Sequence, residues 1–489
     1  MERIIVCALT LVAGSLAAEP ALSQSDREAP FYELVTYEPP ADLKLEISGM
    51  AMMPDGRLAV ALRKGEIWLI ENPTDPGRAT YRQFATGLHE PLGLAYRQGV
   101  FYTVQRTELT SIRDFDQDDV ADEYLTVAKG WGVSGSYHEY AYGPVFDPAG
   151  NAWITLNCAI GKGPNPADNA WRGWSMKVSP EGRMTPVSGG FRSPSGIGIN
   201  LAGDLFATDQ QGNWFPTCPL LHVQEGAFHG HGDALKFCDL PGATFKIDGK
   251  LPENLTVVQA AKKIAPYKLP AVWFPYRKVG MSATDILCDT TEGKFGPFAG
   301  QLFVGEFTMS FVSRVFLEKV KGQYQGACFR FREGLQCAAL RMAWGPDGSM
   351  FVGQSNRGWN SLGTRAYGMQ RLVWSGKTPF EIKSMEALKD GFRLTFTQAL
   401  DGDRAGRPES YAFTSYTYPY HSKYGGEEID VKKPPVKSAT VAEDGLSVIL
   451  KMGGLRAGYV HELDATRLLS RSGDTLLHPE AYYTLNQLP

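Results

Sequence analysis

The stretch RDFDQDDVADEY places Asp114, Asp116, Asp118 and Asp122 at relative positions 1, 3, 5 and 9. Carboxylates on alternate residues of a short loop converge on a hard cation, and a backbone carbonyl, here that of Val120, completes such a shell. The spacing predicts a structural calcium loop. Asp119 stands where these loops usually carry a sharp-turn glycine, and the alternative is a solvated acidic turn between strands. A second candidate is His138 in YHEYAYGPVFDPAGN. An imidazole can take a proton near neutral pH. It can equally hold a turn through Glu139 or a backbone carbonyl, and the residues alone leave both open. Arginines at apparent strand ends form a third group: Arg106, Arg192, Arg341, and Arg357 beside Trp359. A guanidinium clamps a carboxylate bidentately, but it also bridges neighbouring elements. HVQEGAFHGH carries His222, His229 and His231. The i, i+2 pair could share a metal, but the glycine-flanked loop offers no clear set of partner ligands, and a plain loop is the simpler reading.

These residues need a scaffold, and a repeat supplies it. An apolar lead, a Pro/Asp/Gly turn and an alternating strand recur in GMAMMPDGRLAVALRKGEIWLIE from Gly49 and LRMAWGPDGSMFVGQSNRG from Leu340. Weaker copies start at Pro91, Tyr142 and Ser195, and a sixth from Thr284 carries an insertion at its turn. Spacings of about 40–55 residues match a four-stranded propeller blade. Period-2 strands cannot bury both faces alone, whereas sheets stacked around an axis can, leaving short edges. The expected fold is therefore all-β: a six-bladed β-propeller over residues 30–376, followed by an immunoglobulin-like β-sandwich over 379–489. A β-sandwich with accidental turns is the alternative for the repeat region. The insertion before the sixth copy reads as an elaborated loop with a short helix near Val257–Ile264. Loops at one end of such a ring line a central funnel, which would bring His138, Arg192 and Arg341 within reach of one ligand.

Composition narrows the function classes. The net charge is −4 with both signs mixed, so no basic stripe argues for nucleic acid. Residues 1–23 read as a secretory signal peptide, with Arg3 ahead of an apolar run. No later run is long enough to span a membrane. The expected location is periplasmic or secreted. Six cysteines follow Cys7, and an even count in an exported chain favours disulfides, with Cys328–Cys337 and Cys218–Cys238 the short-loop candidates among 15 pairings. There is no CxxCH motif for a covalent haem.

The six copies, with YHEYAYGPVFDPAGN, FRSPSGIGINLAGDLFATDQQGNW and GPDGSMFVGQSNRGW, resemble the quinoprotein glucose/sorbosone dehydrogenase superfamily from about Leu43 to Trp374. The resemblance is closest to the secreted sorbosone-dehydrogenase-like branch. It implies pyrroloquinoline quinone (PQQ) in the funnel beside calcium, a small carbohydrate or sugar-derived substrate, and a separate electron acceptor such as a cytochrome. It implies that His138, at the family's catalytic histidine position with one extra residue before DPAG, takes the proton of a sugar hydroxyl. It further implies cofactor contacts from Arg63 in ALRKG, Arg192 in RSPSG, Asp209 and Gln210 in DQQG, and Arg357. The chain departs from the family pattern at Ser193 and Ser195, which replace an amide pair, at Gln210, which replaces histidine, and beside Arg63, where a glutamate is lost. These departures keep two further readings in play. One is a carbohydrate-binding or carbohydrate-lyase propeller without quinone, in which Tyr140 and Tyr142 hold the sugar. The other is a non-enzymatic interaction module.

Overall fold

The structure, a computed structural model, describes residues 22–160 and 170–489. The expected signal peptide lies almost wholly outside the described residues. Among them, no helix is long and apolar enough to cross a membrane.

Each of the six turn copies joins the first two strands of an antiparallel four-stranded unit. The first strands of these units are Ile47–Met52, Ala95–Arg97, Ala141–Phe146, Gly196–Ile199, Ala283–Cys288 and Ala339–Trp344. The turns form where the sequence places a glycine in the left-handed region: Gly56 has φ 86° and Gly348 has φ 84°. The preceding aspartate closes each turn, Asp55 accepting the Arg57 amide and Asp347 that of Ser349. Neighbouring units touch in cyclic order, and the sixth returns to the first through Ala339–Trp344 against Ile47–Met52. Glycines allow the first strands to approach. A Cβ on Gly49 would lie 2.5 Å from the Gly93 carbonyl carbon, and one on Gly93 would lie 2.2 Å from the Gly143 oxygen.

Period 2 decides the packing. The second strand of the first sheet, Leu58–Leu62, is buried throughout. Its Leu58, Val60 and Leu62 pack on Ala343, Phe351 and Met369 of the sixth sheet. Ala59 and Ala61 face Leu94, Phe101 and Ile112 of the second. A strand covered on both faces has no polar alternation to show, which is why LAVAL is a continuous apolar run. The sixth sheet is completed by the N-terminal strand Tyr32–Thr36, which pairs with Tyr367–Trp374. The fourth sheet takes its outer strand, Val272–Phe274, from beyond a long insertion. That insertion holds the expected helix, observed at Val257–Lys263 and started by a Thr256/Gln259 capping box.

The C-terminal segment forms two sheets that share one core. One contains Ile382–Leu388, Gly391–Phe396, Ser447–Met452 and Val436–Val441. The other continues the fifth sheet, because Glu480–Leu485 pairs with Gln323–Arg332 through Cys328 and Tyr482. Phe329, Phe392, Phe413 and Tyr483 lie together between the two sheets.

The cysteines correct the sequence expectation. All six among the described residues are buried and unbonded to one another. Cys328 sits in mid-strand with its thiol on the Trp273 and Tyr482 carbonyls, while Cys337 backs onto Gly363. Cys218 lies in the fourth sheet, and Cys238 caps the 3-10 turn Gly232–Phe237. Closeness in sequence does not bring these side chains together. Burial also pushes the Cys218 and Cys337 thiols up to about 12, which makes them slow to oxidise. Protein unfolded without reductant should therefore yield all six thiols to an alkylating reagent. Recovery of four or fewer would mean that a disulfide is present.

Candidate functional site

All six sheets send residues to one cavity of about 160 Å³. Arg63 enters from the first sheet, Leu92 leads into the second, and Tyr140 and Tyr142 come from the third. Ser193, Ser195 and Gln210 come from the fourth, Ser282 and Thr284 from the fifth, and Leu340 and Arg357 from the sixth. His138 lies on this wall in a turn between Tyr137 and Glu139. Glu139 points inward, where its carboxylate accepts the Ser134 amide and hydroxyl at 2.7 Å each. Burial lowers the His138 pKa, and the positive charges of Arg192 and Arg106 lower it further. The imidazole is therefore neutral and able to accept a proton at physiological pH.

The turn that presents His138 is held by Arg106. Its guanidinium donates to the carbonyl of Tyr137 at 3.0 Å and to those of Glu139 and Ser136 at 3.4 and 3.5 Å. The same group pairs with Glu90 at 2.6 Å. Glu90 also takes Arg63 Nη2 and so bridges the two arginines. Arg63 Nη2 reaches the Tyr140 hydroxyl at 3.1 Å, and its Nη1 reaches the Arg357 carbonyl at 2.7 Å. Sequence reasoning missed Glu90. It sits in the middle of GLHEPLG with φ 49°, outside any strand, and only the meeting of two cations marks it.

The other expected site residues separate. Arg192 is buried close enough to His138 to act on its charge. Its Nη1 donates to the Gln211 carbonyl at 3.3 Å, its plane lies 5.3 Å from the Tyr424 ring, and its Nε has no partner. Asp209 is fully buried and does not line the cavity. Its oxygens accept the amides of Arg192, Ser193 and Gln210 at 2.7–2.8 Å, so it shapes the loop that carries Arg192. Burial raises its pKa to about 6, against the pull of those amides. Gln210 lines the cavity and donates to the Ala283 carbonyl at 2.5 Å. Arg357 lines it too, paired with Glu46 at 2.7 Å.

Arg341 lies elsewhere. It donates to the carbonyls of Ser48, Ser195 and Leu340 at 3.0, 3.1 and 2.6 Å, and stacks on Tyr142. It lines a separate cavity of about 540 Å³ with Asp285, on the other side of a partition that includes Tyr142 and Ser195. The cavity brings together His138, Arg63, Gln210 and Arg357; Arg192 does not line it but lies close enough for its charge to act on His138, and Arg341 and Asp209 do not line it either.

The acidic loop converges in part. Carboxylate oxygens of Asp114, Asp116 and Asp122 lie within 4.8 Å of one another. Asp118 instead caps the Val120 amide at 2.8 Å. The charge of Asp118, then burial and the charge of Asp122, raise the Asp116 pKa. Asp119, with φ 63°, pairs with Arg57 and Arg82.

Tyr137 and Trp359 on the cavity wall are 52 and 69% exposed. Tyr424, over Arg192, is 65% exposed. Tyr424 comes from the C-terminal segment, which docks here through Gly425 onto Gly212 and through the His421 carbonyl, which accepts the Trp214 amide.

No protein-family model matches the chain, and no curated protein matches it. Among solved structures, it is similar to an aldose sugar dehydrogenase from Streptomyces coelicolor in its PQQ-bound form (TM-score 0.47, 16% identity, covering 70% of this chain and 98% of that one). It is also similar to the PQQ domain of a pyranose dehydrogenase from Coprinopsis cinerea (TM-score 0.48, 10% identity, 70% of this chain and 95% of that one). A putative oxidoreductase of glucose dehydrogenase type from Thermus thermophilus matches at TM-score 0.51 and 17% identity, over 70% of this chain and 100% of that one. The chain thus shares the fold of the Thermus oxidoreductase over that part of its length.

Proposed function

We propose that the protein is an exported sugar or sugar-alcohol oxidoreductase of the soluble PQQ-dependent type, with His138 as its general base. The six sheets are then the blades of a six-bladed propeller over residues 30–376, and residues 379–489 form an immunoglobulin-like sandwich packed on the fifth blade. The observation that carries the reading is the convergence of all six sheets on a cavity holding a neutral imidazole beside guanidinium groups.

The donor set fits an acidic quinone. The buried Nε atoms of Arg192 and Arg63 lack partners, and the groups that would hold the quinone's carboxylates and carbonyls are Arg192, Arg63, Gln210, Ser193 and Arg357. PQQ, when bound, supplies the two-electron acceptor for a sugar's hydride. The protein's part is to orient the sugar and accept its hydroxyl proton on an imidazole nitrogen of His138. The cationic neighbours keep that nitrogen unprotonated, and Arg106 fixes its turn. Reoxidation requires a separate acceptor such as a cytochrome. The Asp114, Asp116, Asp118 and Asp122 loop, with the Val120 carbonyl, is proposed as a structural calcium site.

One observation favours a second reading. The cavity, about 160 Å³, is smaller than the ~300–1,000 Å³ typical of small-molecule and cofactor sites. A single sugar ring held by Tyr140, Tyr142 and His138 suits that volume, as in a carbohydrate-binding or lyase propeller without quinone. Titration of purified protein with PQQ, with calcium and with both separates the two. Under the first reading, calcium alone raises the melting temperature, PQQ raises it further at saturation, and turnover of an aldose or sugar alcohol appears with an artificial acceptor. Under the second, PQQ leaves the melting temperature unchanged while sugars raise it. If calcium has no effect on stability, the loop is merely acidic.

A further inference from the structure

We propose that Cys158, His231 and Asp233 form a binding site for a zinc-class divalent transition-metal ion beside the Arg192 backbone. Cys158 follows the second strand of the third sheet, Ala152–Leu156. His231 caps the 3-10 turn Gly232–Phe237 in the insertion of the fourth sheet, and Asp233 lies in its first turn. One ligand atom of each lies within 4.8 Å of the others. Cys158 Sγ is 3.6 Å from His231 Nδ1. A tetrahedral zinc ion with Zn–S of about 2.3 Å and Zn–N of about 2.05 Å requires an S···N separation of about 3.5 Å.

The chemistry of the set agrees with the geometry. Thiolate, imidazole and carboxylate together suit zinc and its neighbours rather than calcium or magnesium, and three ligands leave a fourth position open. Cys158 is 1% exposed and His231 6%, while Asp233 is half-buried and gives the ion a way in. The metal-free contacts are those an ion would replace. The thiol donates to the Phe191 carbonyl at 3.0 Å, His231 Nδ1 accepts the Asp233 amide at 3.4 Å, and Asp233 pairs with Lys236 at 3.5 Å. The thiol releases its proton to the solvent as the metal binds. Gly173 keeps room over the sulfur, since a Cβ there would lie 2.9 Å from Sγ. The other two histidines of the loop are engaged elsewhere, His229 with Ser188 at 3.1 Å and His222 with Asp204 at 3.8 Å.

The site also has a structural consequence. The Cys158 amide donates to the Arg192 carbonyl, and the His231 amide to the Gly190 carbonyl, each at 2.9 Å. An ion joining the two side chains would tie the third sheet to the insertion and fix the Gly190–Arg192 backbone between them. This inference does not depend on the proposed oxidoreductase activity.

The test is cobalt(II) titration of the full chain after chelator treatment, followed by zinc. One equivalent of cobalt should produce a thiolate-to-cobalt charge-transfer band with tetrahedral visible bands, and zinc should displace it. Affinity should rise with pH, because a proton leaves the thiol. Cys158→Ser should abolish the charge-transfer band, and Asp233→Asn should weaken cobalt binding tenfold or more. Asp116→Asn, in the separate acidic loop, should leave the band intact. If Cys158→Ser fails to fold, the half-buried Asp233→Asn decides. Absence of the band in the wild type, its survival in Cys158→Ser, or unchanged affinity in Asp233→Asn would overturn the proposal.

Discussion

Under the proposed function, replacing His138 with alanine is expected to lower turnover of a sugar substrate by about 10²–10⁴-fold, the usual contribution of a positioned general base. The side chain lies on the cavity wall, partly desolvated and partly open to solvent. Its loss should leave the melting temperature and ligand binding nearly unchanged, because the turn is held by Arg106 through backbone carbonyls. The acid limb of kcat/KM should fall below the ordinary histidine value of 6.5, since burial and the charges of Arg192 and Arg106 lower the pKa. Arg192→Met should therefore move that limb upward and should raise KM before it lowers kcat. Measurement uses protein loaded with quinone and calcium, a panel of aldoses and sugar alcohols, and an artificial acceptor. A His138→Ala variant with full activity would remove the base from the mechanism.

The largest stability effect is expected at His478. Its Nδ1 lies 2.6 Å from Glu381 and its Nε2 2.9 Å from Glu28. Arg332 reaches the same Glu28 at 3.1 Å. These groups tie the N-terminal helix Gln24–Glu28 to the C-terminal segment, with His478 3% exposed and Glu28 fully buried. Burial alone would lower the His478 pKa. The charge of Glu381 and the bonds to both carboxylates outweigh burial and raise it to about 10. Burial likewise works to raise the Glu28 pKa, but His478, the Glu333 amide and Arg332 together hold it below its usual value. Replacing His478 with alanine strands the buried Glu381 carboxylate and removes one partner of Glu28, which keeps Arg332 and the Glu333 amide, at a cost of about 3–5 kcal/mol in denaturant unfolding.

The pH dependence has a definite sign. A histidine with a raised folded pKa contributes its full stability below the unfolded value of about 6.5. That contribution declines between 6.5 and 10 and is gone above 10. Glu28 acts oppositely, contributing above its ordinary value near 4.5 and losing that contribution in acid. The wild type should therefore lose stability between pH 6.5 and 10, and His478→Ala should show a flatter profile there. A variant as stable as wild type would mean that the cluster is not formed in solution.

Local signals in the sequence were enough to define the repeating units. The Pro/Asp/Gly turns were legible because only glycine takes the left-handed conformation cheaply, as at Gly56 and Gly348. The helix at Val257–Lys263 was legible because its capping box lies within four residues. His138 was singled out by residue type and setting, and it lies on the cavity wall. What the sequence could not decide depends on which strands become neighbours. The cysteine count suggested bridges, yet strand register sends the Cys328 thiol toward Trp273 and Tyr482 rather than Cys337. Arg341 matches Arg192 in type, but it lies within a strand, and three carbonyls and the Tyr142 ring hold it on the far side of a partition. Glu90 joins Arg63 to Arg106 across two sheets. Tyr424 reaches Arg192 from a segment more than 200 residues away in sequence. The cysteine that meets His231 is not the nearby Cys238 but Cys158, which lies far from it in the chain and meets it only where the third sheet abuts the insertion. Turns and caps are set by residues a few positions apart, so composition and spacing reveal them. Side-chain meetings across sheets are set by register and ring closure, so only the tertiary structure decides them.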